Sequence, residues 1–152
     1  MAFSPSVGYN LVMPQTTTAR SNEHTEHALS VAAFLRVIEA QLVEHAARNG
    51  ADLAVERAPS ELRAMANESA LHQIILNLVD TATRCVAVGS NIRMWCESNT
   101  RLIAVRMRCG ECKGMRLSDQ AVISATRDLA RSMGGDVKVS GGTYTIELLR
   151  TA

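Results

Sequence analysis

Apolar residues recur at i, i+3, i+4, i+7, i+8 and i+11 through Leu71, Ile74, Ile75, Leu78, Val79 and Ala82. That spacing is one stripe of an amphipathic helix and predicts one over Ser69–Arg84. Asn67 or Ser69 can cap its start, and Glu68 suits the positive end of the helix dipole. A second stripe, Val31, Phe34, Leu35, Ile38, Leu42 and His45, predicts a helix over Ser30–Asn49, stopped by Asn49-Gly50. This stripe is committed to the core, so the first helix offers no specific support for homodimerisation, and the oligomeric state stays open. A third helix is expected from Ser118 to Met133, ended by Gly134-Gly135.

Alternation with period two marks the strands. DLAVER (52–57) reads as a short strand ended by Pro59, while 60–66 fits either a helical turn or a loop. NIRMWCE (91–97) and RLIAVRMR (101–108) alternate on either side of a turn at 98–100. They would bury Ile92, Met94, Cys96, Ile103, Val105 and Met107. DVKVS and TYTIELL form a closing hairpin around Gly141-Gly142. The order α-β-α-β-β-α-β-β predicts an α/β fold of two layers, a mixed sheet with helices on one face. Residues 1–28, rich in Ser, Thr, Pro and Asn, read as a flexible leader with a short extended piece at 8–13; residues 29–152 read as the domain. His24 and His27 fall at the end of this leader, where there is no room for the paired helices that a phosphoacceptor histidine needs.

Composition narrows the class. With 47% apolar residues, 20% charged and a formal net charge of +1, the chain is neither disordered nor a nucleic-acid binder by bulk charge. It lacks an apolar run long enough for a membrane span and a secretory signal pattern, so reduced thiols and a cytoplasmic location are expected.

Three stretches together resemble the ATP-binding (GHKL-type) domain of sensor histidine kinases, in the wider ATPase family that includes DNA gyrase B. HQIILNLVDTATR resembles the family's asparagine box, with Gln73, Asn77, Leu78, Ala82 and Arg84 matching. IAVRMRCGECKG stands in the place of the strand and glycine loop, keeping Gly110 and Gly114. RDLARSMGGDVKVS and GGTYTIELL resemble the helix, double glycine and hairpin that end these domains. The resemblance covers about 29–150 and implies bacterial two-component signalling, ATP and Mg²⁺ as ligands, and Asn77, Arg84, Gly110 and Gly114 as the residues that would meet a nucleotide.

The departures point the other way. At the family's second, magnesium-binding Asn stands Thr81, a poorer ligand. At the adenine-reading Asp stand Arg108 or Cys109, neither of which accepts the amino hydrogen as a carboxylate does. The second glycine box falls on Gln120 and Val122, and the interval after Gly114 is too short for a lid. Phosphoryl transfer needs the metal held and the phosphates neutralised. The expectation is therefore a stand-alone, degenerate signalling module with no catalytic residue and no resident cofactor, binding a kinase, a phosphotransfer protein or a response regulator. The alternative is an active, ATP-dependent kinase subunit that phosphorylates a partner in trans.

Two further features carry chemistry. Arg93, Trp95, Arg106 and Arg108, joined by Lys138, should share the sheet face away from the helices and meet an acidic protein more readily than a nucleic-acid backbone. Cys109 and Cys112 make a C-x-x-C, a redox or half-zinc spacing, which leaves a metal or redox module as a further alternative; Cys85 and Cys96, the two more ligands that a zinc site would need, read more simply as small buried thiols.

Overall fold

A computed structural model describes residues 26–110 and 114–151. The leader's extended piece at 8–13, His24 and Cys112 lie outside the described residues. The strands are β1 (His27–Ser30), β2 (Asp52–Val55), β3 (Arg63–Ala66), β4 (Asn91–Ser98), β5 (Leu102–Arg108), β6 (Asp136–Ser140) and β7 (Thr143–Arg150). The helices are α1 (Val31–Arg48), α2 (Glu68–Cys85) and α3 (Leu117–Arg131). The strands form one mixed sheet in the order β1-β3-β7-β5-β4-β2, and β6 also pairs with β7. The β2–β4 pair is parallel and the other pairs are antiparallel.

The expected two-layer α/β architecture is present. Ile92, Met94, Ile103, Val105 and Met107 are buried as the alternation required, while Cys96 is only half-buried. From the helix side, Leu71, Ile74, Ile75, Leu78, Val79 and Ala82 complete the same core. Asn67 caps α2, its side chain accepting the Ala70 N–H at 2.9 Å. On α1 the fifth core position falls to Ala46; His45 is displaced from the expected stripe and reaches Asp80 instead.

Two strands differ from expectation. The segment 60–66, left between helical turn and loop, contains β3. β1 begins at His27, so the leader boundary drawn at residue 28 cuts into the sheet. Both are four residues long and Ala-containing, with little of the β-branched or aromatic character that marks a strand in sequence. The expected strand 52–57 also stops earlier, at Val55. Ser30 ends β1 and caps α1, accepting the Ala33 N–H at 3.2 Å.

Candidate functional site

The helices lie side by side with α2 in the middle. Toward α1, His72 meets Gln41 at 2.8 Å and Asn49 donates to Thr83 at 3.0 Å. Toward α3, the Arg84 guanidinium donates to the Asp119 carboxylate from Nε at 3.2 Å and from Nη2 at 2.7 Å. Asp119, in the first turn of α3, is buried and also accepts the Arg116 N–H at 3.3 Å. Arg84 makes a second ion pair with Asp80, one turn back on α2. Asp80 in turn meets His45 at 3.1 Å and accepts from Asn49 at 3.3 Å. Neither Asp80 nor Asp119 stands out in the sequence as part of a motif. The signal was available for Asp80, since an Asp four residues before an Arg on a helix is a pairing spacing.

Burial alone would raise the Asp80 pKa, but hydrogen bonds from Arg84 and His45 outweigh it and hold the carboxyl below its ordinary value. A depressed folded-state pKa gives stability that is present above the unfolded pKa, about 3.9, and is lost as pH falls through the folded value. Acid unfolding of Asp80→Asn should therefore depend less steeply on pH below about 4 than that of the wild type. Equal slopes would remove Asp80 from the acid response.

Asn77 is half-buried on α2, where its Oδ1 accepts from Gln73 Nε2 at 2.7 Å. Thr81 lies one turn from Arg84 on the α3 side; it is fully buried, and its Oγ1 has no hydrogen-bond partner among the described residues. Gly110 and Gly114 are exposed, Gly114 with a positive φ of 114°. The Cys109 thiol is buried and donates to the Gly142 carbonyl at 3.2 Å, which draws it toward the closing hairpin. Burial pushes the Cys96 thiol up to about 11, which keeps it protonated at neutral pH.

The second constellation is the open sheet face. Arg93 pairs across the ladder with Arg108, and Trp95 with Arg106, so all four side chains project from one face as expected. Arg106 and Lys138 flank Thr145 on opposite sides of β7, which adds Lys138. The Arg93 guanidinium lies 4.6 Å from the centroid of the Trp95 ring, a cation–π stack. Glu97 accepts from Trp95 Nε1 and from Arg106 Nε, each at 2.9 Å. Glu56 pairs with Arg93, and Glu147 with Lys138 at 3.2 Å. Three carboxylates, Glu56, Glu97 and Glu147, thus interleave with the Arg and Lys side chains of this face. Glu56 lies just beyond the end of β2. Arg108 is exposed and makes no ion pair among the described residues.

No family model matches the sequence, and no curated protein does. Solved structures do match. The catalytic domain of histidine kinase ThkA superimposes with a TM-score of 0.67 at 15% identity, over 84% of this chain and 98% of that one. The histidine kinase AdeS of Acinetobacter baumannii does so with a TM-score of 0.62 at 11% identity, over 96% and 88%. The cytoplasmic segment of histidine kinase QseC gives 0.60 at 15% identity, over 94% and 97%. The chain therefore has the fold of a histidine-kinase catalytic, ATP-binding domain. A further match, at a TM-score of 0.65 and 16% identity, is ThkA in complex with the response regulator protein TrrA. Among the described residues no helix is long and apolar enough to cross a membrane.

Proposed function

We propose that this chain is a signalling module that works by binding a partner protein on a histidine-kinase scaffold whose nucleotide site has decayed. The observation that carries this reading is the state of Arg84. Its guanidinium is given to two carboxylates, Asp80 and Asp119, and Asp119 is buried. A phosphate chain approaching Arg84 would have to displace a carboxylate already satisfied by charge-assisted hydrogen bonds and compete with a second negative charge beside it. Thr81, at the position the resemblance gives to the magnesium-binding Asn, supports the same reading, because its hydroxyl is wholly buried in the helix layer. A poor ligand that solvent cannot reach is ill suited to a hydrated Mg²⁺.

Partner binding falls to the open face. Trp95 is held between Arg93 and Glu97, so its ring is presented in one orientation and little side-chain entropy is lost on contact. The partner class is a kinase, a phosphotransfer protein or a response regulator. That class rests on the scaffold and on the complex of ThkA with a response regulator.

The second reading, an ATP-dependent kinase subunit acting in trans, draws on Asn77 and Arg84, which match the asparagine box on the outer part of α2. Titration with ATP and Mg²⁺, followed by thermal shift, separates the two. Ligand at a hundredfold excess over its dissociation constant adds about 2.7 kcal/mol of stability, so moderate binding would register. No shift at millimolar nucleotide is expected; a saturable shift that Asn77→Ala abolishes would establish the second reading. Against a panel of receiver and phosphotransfer domains, Trp95→Ala should weaken capture about tenfold or more while leaving the unfolding midpoint nearly unchanged. Unchanged capture by Trp95→Ala would move the partner surface elsewhere.

A further inference from the structure

α1 carries two stripes, only one of which the core uses. Val31, Leu35, Ile38, Leu42 and Ala46 face the sheet. On the opposite side Ala33, Val37, Ala40, Glu44 and Ala47 are all exposed, at alternating spacings of four and three residues. That is the repeat with which one helix follows another along a shared seam. The seam is lined with small side chains, so a second helix can approach closely. Its largest apolar member, Val37, is 81% exposed. An open depression of about 500 Å³ runs along it, lined by Arg36, Glu39, Ala40, Val43, Glu44 and Ala47. A cavity of about 530 Å³ adjoins its other side at Ala33, Phe34 and Val37.

The charges name the occupant. Arg36 lies four residues before Ala40 and Glu44 four after it; Ala33 and Ala47 lie seven before and seven after. An antiparallel copy of the same helix, related by a two-fold axis at Ala40, therefore brings each Arg36 level with the other copy's Glu44, and each Ala33 level with the other copy's Ala47. A two-fold interface uses one patch on both subunits and must be self-complementary, and this seam is. Arg36 makes no ion pair among the described residues, and Glu44 is held only to exposed Arg48, at 3.4 Å. Both groups are therefore available to a neighbour at little cost.

We propose that the outward face of α1 is a self-association surface, on which two copies of this chain pack α1 antiparallel across Ala40. The seam from Ala33 to Ala47 is only about 21 Å long at 1.5 Å per residue, so the dimer is weak and forms at micromolar or higher concentration. The pairing leaves the Trp95 face, on the other side of the sheet, open in both copies, and it does not depend on the nucleotide reading.

Sedimentation velocity of the full chain over a wide concentration range tests this. The expected result is a concentration-dependent shift from monomer to dimer. Ala40→Glu, which sets two like charges at the axis from an exposed helix position, should shift dissociation to at least tenfold higher concentration with an unchanged circular dichroism spectrum. Arg36→Glu and Glu44→Arg should each weaken the dimer, and the double variant should restore it. Ala40→Cys should cross-link to its own counterpart under mild oxidation well beyond the wild-type background. A monomer at every concentration, or a dimer that ignores both Ala40→Glu and the charge exchange, would overturn the proposal.

Discussion

Truncating Leu78 to alanine should destabilise the chain by about 2–5 kcal/mol, the cost of removing a buried Leu side chain and leaving a partly unrelaxed cavity. Leu78 is 2% exposed, between the sheet and the helix layer, on the stripe of α2 that meets the core. The expected size follows from its position. α2 has a helix on either side and the sheet beneath it, so its neighbours are held from several directions and cannot collapse into the space. Chemical denaturation with an unchanged m-value would show the loss as a lower midpoint. A change below about 0.5 kcal/mol, the size usual for surface substitutions, would mean that the helix is rotated from the orientation described.

Gly135→Ala is the second large effect. α3 ends where Gly134 takes a φ of 81° and the Gly135 N–H donates to the Ala130 carbonyl at 3.0 Å. A β-carbon at Gly135 would run into the backbone carbonyl of Glu147 on β7, far inside contact distance. Backbone does not step aside as a side-chain tip does, so either the α3–β6 connection or the β6–β7 pairing must move. The expected loss is at the upper end of the overpacking range, about 3 kcal/mol, or frank misfolding. Gly141→Ala provides the control, because a β-carbon there meets nothing within 4 Å and only its φ of 60° resists. A loss at Gly135→Ala no larger than that at Gly141→Ala would show that the approach to Glu147 is relieved at little cost.

The same two residues show how far the sequence reaches. Leu78 was legible because a helix that buries one face repeats its apolar residues with the helix period, whatever it packs against. Gly134-Gly135 was legible as a helix stop, but the reason for the second glycine was not. That reason is a carbonyl twelve residues further on, brought close by strand pairing. β1 and β3 escaped because four-residue strands of small residues take their form from neighbours in space more than from intrinsic preference. At the candidate site, Asn77 and Arg84 were found through a motif and Thr81 through a departure from it. The carboxylate that engages Arg84 from α3 was not found, since nothing in the spacing of residues 84 and 119 says that they meet. On the open face alternation brought Arg93, Trp95, Arg106 and Arg108 together, but the carboxylates that pair with Arg93 and Lys138 were not legible, because Glu56 and Glu147 reach them from separate parts of the sequence.

β7 pairs with β5 along one side and with β6 and then β3 along the other. It is the last strand of the sheet to leave the ribosome and the one that joins the other strands together. Before Thr143–Arg150 emerges, the β1–β3 pair and the β2–β4–β5 group have no ladder between them. The sheet therefore cannot close until β7 has been made, and a nascent chain stalled short of it displays two sheet fragments with unpaired edges to the chaperones and proteases around it.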